Sequence, residues 1–290
     1  EQAQALDLVA ALRSTGFVHV KDHGVPPQVT RDALDATVAL FQGADAVKQE
    51  VLLRGAATQF RGYQAAAQNV TLGVSDQHEG FDMMRTFGQG CNVDKDSEPF
   101  RIINGRNLWP REPRGFQQAF ERLVPHMLRL GHEIMGQISA GLREHDPPTV
   151  LNAKLFDDPF WICRALHYPV QAAAASQGVG AHSDYGLLTM IVQDDVPGCL
   201  QVLSADNEWF EVDPVPDCFV INVGDVLKSW TGGRLPATTH RVLSPTDRPR
   251  VSVPFFFEPN FDAPLKDDFL YRDHLLTKLR SNFDHERDDA

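Results

Sequence analysis

No CxxC pair occurs in this sequence. Its four cysteines, Cys91, Cys163, Cys199 and Cys218, are scattered over 290 residues. A disulfide framework needs denser cysteine, and a structural zinc site needs closer pairs. Reduced, structural thiols and a cytoplasmic setting are therefore expected. Long apolar runs are missing too, and none approaches the ~18 residues of a membrane-spanning helix. The opening EQAQALDLVA lacks a charged start followed by an apolar stretch, so it does not read as a signal peptide. Basic charge is scarce: 27 Lys and Arg face 39 Asp and Glu, a formal net charge of −12. That speaks against nucleic acid and an anionic membrane surface as partners, since both reward a basic face. No repeat, low-complexity tract or linker divides the chain.

What is present suggests one large domain. Apolar residues Leu8, Val9 and Leu12 fit a helix over 2–14, followed by a short strand, GFVHV, and a second helix over about 28–42. Residues 43–112 are rich in Gly, Gln and Asn and predict loops and short strands that face a substrate. Phe116, Phe120, Leu123, Met127, Leu130, Ile134, Ile138 and Leu142 then recur every three or four residues, the apolar face of one long helix. Pro125 inside it should kink it. After 160 come short apolar runs such as WICRALHYP, LLTMIVQD and RVSVPFFFEP, separated by Gly/Pro turns. Such spacing suggests a barrel or jelly roll. A last helix is expected over 266–284.

The stretch AHSDYGLLTM, residues 181–190, places His182 and Asp184 two apart at the mouth of an apolar strand. Side chains at i and i+2 of a strand share a face, so imidazole and carboxylate project together. His240, in TTHRVLS, has the best context for a third partner. A hairpin centred near 245 would set it opposite Arg250, which shares a face with Ser252. Two histidines and one carboxylate leave open positions on a divalent metal, as in non-haem Fe(II) oxygenases. Zinc hydrolysis uses similar ligands and is not excluded by the triad. Arg250 with Ser252 favours iron, because that fork can anchor a carboxylate such as the far end of 2-oxoglutarate. Tyr168 in RALHYP could add a hydroxyl.

These residues resemble the isopenicillin N synthase-like family of Fe(II)- and 2-oxoglutarate-dependent oxygenases. The resemblance spans nearly the whole chain: ALRSTGFVHVKDHGVP, RGY, LWP, RALHYP, HSDYGLLTMIVQDDVPGCLQV, EWFEVDPVP, FVINVGD and HRVLSPTDRPRVSVPFFFEP stand in family order. It implies an α+β fold, a distorted double-stranded β-helix (jelly roll) flanked by helices. It implies a single domain over 1–290: a mainly helical part at 1–150, the catalytic jelly roll at 151–265 and a C-terminal helix at 266–290. It implies His182, Asp184 and His240 as catalytic iron ligands, Arg250, Ser252 and Tyr168 as 2-oxoglutarate contacts, and Phe256 at the substrate pocket. The cofactors implied are Fe(II), 2-oxoglutarate and O₂. The activity implied is oxidation of a small organic molecule, by hydroxylation, desaturation or cyclisation, with release of succinate and CO₂. Leu166 departs from the asparagine many members carry near the cosubstrate.

Competing readings are an oxidase of the same fold that does not use 2-oxoglutarate, and a jelly-roll binding protein without catalysis. Oligomeric state is left open, with a monomer sufficient for such a site. His23 and His167 read as fillers, and Arg61, Arg85 and Arg101 as solvated charges. Phe256 within FFF could equally serve the core.

Overall fold

The computed structural model describes residues 2–71, 73–88, 90–145, 151–171, 176–266 and 268–283. Helix α1 (Gln2–Thr15) leads into β1 (Phe17–Lys21), then α2 (Pro27–Phe41) and α3 (Asp45–Glu50). Strands β2 (Gly62–Gln64), β3 (Val70–Thr71), β4 (Val74–Ser75) and β5 (Glu79–Met84) precede α4 (Glu98–Ile103) and the long α5 (Phe116–His145). Then follow β6 (Pro159–Tyr168), β7 (Gln177–His182), β8 (Leu188–Gln193), β9 (Leu200–Leu203), β10 (Trp209–Glu211) and β11 (Cys218–Val223). Helix α6 (Asp225–Trp230), β12 (His240–Leu243), β13 (Arg250–Asn260), β14 (Pro264–Lys266), β15 (Phe269–Leu270) and α7 (Tyr271–Phe283) complete the chain.

Two antiparallel sheets form the jelly roll. The larger runs β1-β11-β8-β13-β6-β5-β2, the smaller β10-β9-β12-β7. Strand alternation divides the side chains of the larger sheet between two environments. On one face Val253, Phe255, Phe257, Met190 and Cys163 join the α5 residues Leu123, Met127 and Leu130 in the main core. Each large side chain buried there contributes roughly 1.5–3 kcal/mol. Helix α5 comes so close at Gly131 that a Cβ would lie 2.2 Å from the Phe257 ring. On the opposite face Leu166, Tyr168, Ile191 and Val220 meet Leu200, Val202 and Val242 of the smaller sheet. That second face lines the barrel interior, and the polar residues of interest lie along it.

Three expectations need correction. His240 and Arg250 are not paired across a hairpin: β12 pairs with β7 and β9, whereas β13 pairs with β6 and β8. The turn between β12 and β13 carries the chain from one sheet to the other, as jelly-roll connections do. The last helix starts at Tyr271, because Pro264–Lys266 and Phe269–Leu270 are the paired strands β14 and β15, and Tyr271 N–H donates to Ala263 O (2.8 Å). Arg61 is fully buried rather than solvated. It donates to the carbonyls of Gln59 (2.7 Å), Ile103 (2.5 Å) and Arg85 (2.8 Å), and burial lowers its pKa to about 10. Arg85 pairs with Asp158 at 2.6 Å, while Arg101 is exposed as expected. His23 stacks on Phe219, and His167 bonds Glu79. The strand at GFVHV is β1, and it extends the larger sheet together with the short strands β2 and β5 of the N-terminal half. Residues 284–290 of the expected C-terminal helix lie outside the described residues.

Candidate metal and cosubstrate site

His182 is the last residue of β7, and Asp184 lies in the loop leading to β8 rather than within a strand. His240 opens β12 and stands directly across from His182 in the β7–β12 ladder. Register between β7 and β12, rather than the expected hairpin with Arg250, brings His240 to His182. His182 Nε2 lies 3.6 Å from Asp184 Oδ1, and His240 Nε2 lies 3.8 Å from Asp184 Oδ2. One ligand atom from each of the three lies within 4.8 Å of the others.

The tautomers follow from what the opposite ring nitrogens touch. His182 Nδ1 is 2.8 Å from Gly180 O, and His240 Nδ1 is 3.0 Å from Thr238 O. A carbonyl can only accept, so each Nδ1 carries a proton and each Nε2 faces the shared space as the ligating atom. Burial and the neighbouring His182 lower His240 to about 4, which keeps its ring neutral. Burial alone would raise the Asp184 carboxyl, but His240 and His182 hold it well below its usual range. Burial opposes charge on His182, but the neighbouring Asp184 raises its pKa overall, so a metal bound there would take the place of a proton. Two imidazoles and a carboxylate facing one point suit a divalent metal, so the donor set fits Fe(II).

Asp184 is fixed from behind. Thr189 Oγ1 (2.5 Å) and Asn222 Nδ2 (2.6 Å) both donate to Oδ2, and these two residues are register partners in β8 and β11. Such outer partners typically contribute 10–100-fold to metal affinity. Asn222→Ala is therefore expected to weaken Fe(II) binding by ~10–100-fold. Competition against a chromophoric chelator measures this, and an unchanged affinity would show that Asn222 does not orient the carboxylate. Gly186, two residues on, rests against Glu258: a Cβ there would lie 1.9 Å from the carboxyl. Burial raises that acid to about 8.

Arg250 opens β13 opposite Tyr168 of β6, and Ser252 stands opposite Leu166 and Gln193. The guanidinium is 2% exposed and lies 5.0 Å from the Tyr168 ring centre. Its Nη2 donates to Gln193 Oε1 at 2.7 Å, and Nη1 reaches Ser252 Oγ at 3.4 Å. Its Nε has no partner, and among the described residues no carboxylate pairs with it. A buried cation with an unused donor and no counter-ion is costly unless an anion completes it. Burial raises the Tyr168 phenol, so it stays a neutral hydroxyl beside that cation. This cradle fits one carboxylate of 2-oxoglutarate.

Phe256 lines the same cavity of about 340 Å³ as His182 and Asp184, together with Ile162, Arg164 and Asp82. A larger cavity of about 820 Å³ lies outside the barrel beside α5 and Trp161 and contains none of the expected residues. His182, Asp184 and His240 converge, Arg250, Ser252 and Tyr168 lie together on β13 and β6, and Phe256 borders the cavity. Sequence reasoning missed Thr189, Asn222, Gln193, Asp82 and Arg164. Strand parity would have found Arg164, which shares the inward face of β6 with Leu166 and Tyr168.

Comparison with known proteins agrees with this geometry. Residues 159–259 match the model of the 2OG-Fe(II) oxygenase superfamily, and residues 1–112 match that of the N-terminal region of non-haem dioxygenases in morphine synthesis. The chain is 34% identical to a homoarginine-6-hydroxylase of Oryza sativa subsp. japonica, over 94% of this chain and 87% of the relative. It is 31% identical to a 2-oxoglutarate-dependent dioxygenase of Monascus ruber, over 97% of this chain and 83% of the relative. The fold matches that of a full-length Neurospora crassa protein crystallised in complex with alpha-KG, with a TM-score of 0.79 at 22% identity, covering 96% of this chain and 90% of that one.

Proposed function

Because the chain belongs to the 2OG-Fe(II) oxygenase superfamily and is a 2-oxoglutarate-dependent dioxygenase using Fe(II) and O₂, we propose that its reaction is the hydroxylation of a small polar molecule at the metal held by His182, Asp184 and His240. The observation that carries this reading is the buried Arg250, which pairs with no carboxylate among the described residues, in a barrel that also holds a convergent His–Asp–His set. Arg250, Ser252 and Tyr168 bind 2-oxoglutarate, with Arg250 supplying the charge and Ser252 the hydroxyl. An oxidase without 2-oxoglutarate would use the same cradle for a different carboxylate or anion, and turnover with and without 2-oxoglutarate separates the two readings.

When bound, Fe(II) supplies the activation of O₂ that couples oxidative decarboxylation of 2-oxoglutarate to attack on a C–H bond. The protein does the rest. The two Nδ1–H bonds hold the imidazoles in the ligating tautomer, Thr189 and Asn222 aim the carboxylate, and Leu166, Ile191 and Val202 keep water away from the cosubstrate end. Phe256 and Ile162 offer the substrate an apolar wall. The overall change is balanced: substrate C–H, 2-oxoglutarate and O₂ give substrate C–OH, succinate and CO₂.

The relatives that hydroxylate homoarginine make that amino acid the first compound to test. The net charge of −12 supports a free small molecule rather than nucleic acid, and the sparse cysteines support a cytoplasmic setting. Among the described residues no helix is long and apolar enough to cross a membrane. The experiment is aerobic turnover of the Fe(II)-loaded enzyme with 2-oxoglutarate and homoarginine. Succinate and a product heavier by one oxygen should form in equal amounts. Product formed equally well without 2-oxoglutarate would favour the oxidase reading.

A further inference from the structure

Deep in the metal-site cavity sits an ion pair that neither metal nor cosubstrate accounts for. Asp82 of β5 and Arg164 of β6 are register partners on the inward face of the larger sheet. Arg164 Nε donates to Asp82 Oδ1 at 2.6 Å, and its Nη2 donates to Gln64 Oε1 at 3.1 Å. Asp82 is 2% exposed. Pairing explains why two charges tolerate this position, but it leaves part of each unused. No hydrogen bond among the described residues reaches Asp82 Oδ2 or Arg164 Nη1. Neither atom belongs to the fully enclosed polar atoms that lack a partner. Both residues border the same cavity as His182, Asp184 and Phe256.

Strand geometry separates this pair from the cosubstrate cradle. Arg164 and Tyr168 share one face of β6 four residues apart, a spacing of roughly 13 Å at ~3.3 Å per residue. The pair therefore stands away from Arg250 along the barrel, on the side where Phe256 and Ile162 supply the apolar wall. Asp82 Oδ2 thus remains an acceptor and Arg164 Nη1 a donor on residues that border the cavity, held there by the salt bridge and by Gln64.

We propose that Asp82 and Arg164 form the specificity clasp for the substrate, binding a group that offers a donor and an acceptor together. Such a group is the ammonium and carboxylate of an amino acid, or the N–H and C=O edge of an amide or cyclic imide. A purely apolar substrate would leave Oδ2 and Nη1 without partners in a dry site, which such a pair penalises strongly. The clasp thus selects small polar nitrogen compounds and rejects hydrocarbons of equal size. It rests on the assignment of the iron and 2-oxoglutarate sites above, which places the reacting centre in the same cavity.

The test is calorimetric titration of the anaerobic enzyme–Fe(II)–2-oxoglutarate complex with two probes, L-homoarginine for the amino-acid group and thymine for the imide edge. Wild type should bind one of them. Asp82→Asn should bind that probe at least ~10-fold more weakly, the size expected when one charged hydrogen bond is lost. The double variant Asp82→Asn with Arg164→Gln keeps a neutral, hydrogen-bonded pair, guards against misfolding, and should show the same loss. In both variants 2-oxoglutarate affinity should stay within about two-fold of wild type, given the ~13 Å separation along the strand. Wild type binding neither probe, or variants binding as tightly as wild type, would overturn the clasp. Failure of the underlying site assignment is distinguishable, because wild type would then fail to bind 2-oxoglutarate before any probe is added.

Discussion

His240→Ala is expected to lower 2-oxoglutarate turnover by well over ~100-fold, since even residues that merely orient metal ligands are worth 10–100-fold. The variant should still fold. His240 holds its place in β12 through backbone pairing with Val202 and His182, which an alanine retains. The ring is buried and packs edge-on to Phe17 at 5.2 Å, so some stability is lost with it. Circular dichroism should nevertheless report the wild-type fold, while chelator competition reports greatly weakened Fe(II). His19→Ala is the matching control, because His19 is exposed and its ring bonds Asp213 O. Full turnover in His240→Ala would remove it from the ligand set.

Arg250→Ala should affect the cosubstrate and spare the metal. Removing the guanidinium leaves a 2-oxoglutarate carboxylate unpaired in a largely dry cradle. Losing one partner of a buried charged hydrogen bond costs ~2–5 kcal/mol. At ~1.4 kcal/mol per decade, that is roughly 30- to several-thousand-fold weaker binding. Arg250→Lys should recover only part, because an ammonium cannot offer two parallel donors. Ser252→Ala removes one hydroxyl from a charged partner and should cost ~1.5–3 kcal/mol. Fe(II) affinity should barely move in all three. Equilibrium dialysis with labelled 2-oxoglutarate measures each, and wild-type affinity in Arg250→Ala would dissolve the cradle.

Much of this site is legible in the sequence because strand parity is local. His182 with Asp184, and Arg250 with Ser252, are two-residue patterns whose shared direction needs no tertiary information. Their convergence is not local. The hairpin inference failed because pairing partners in a jelly roll are chosen between sheets, and residues 244–249 look the same in either arrangement. Arg61 was misread for a related reason. Its four acceptors come from Gln59, Arg85, Ile103 and Asn107, spread over nearly fifty residues, and only the folded chain assembles them. Thr189 and Asn222 sit in runs that read simply as buried strands, LLTMIVQ and FVINV, so nothing in composition separates them from the core. Asp82 and Arg164 were hidden differently. Each looks like an ordinary surface charge until β5 and β6 are seen side by side with their even-numbered residues turned inward.

Whether one Fe(II) and one 2-oxoglutarate bind together, between the His–Asp–His set and Arg250, is tested most directly by anaerobic titration. The Fe(II)-loaded wild-type enzyme is titrated with 2-oxoglutarate and followed by visible absorption. A charge-transfer band that saturates at one 2-oxoglutarate per protein is the expected result, absent in His240→Ala and shifted to higher cosubstrate concentration in Arg250→Ala. A wild-type enzyme that binds Fe(II) but develops no band at any 2-oxoglutarate concentration would contradict it.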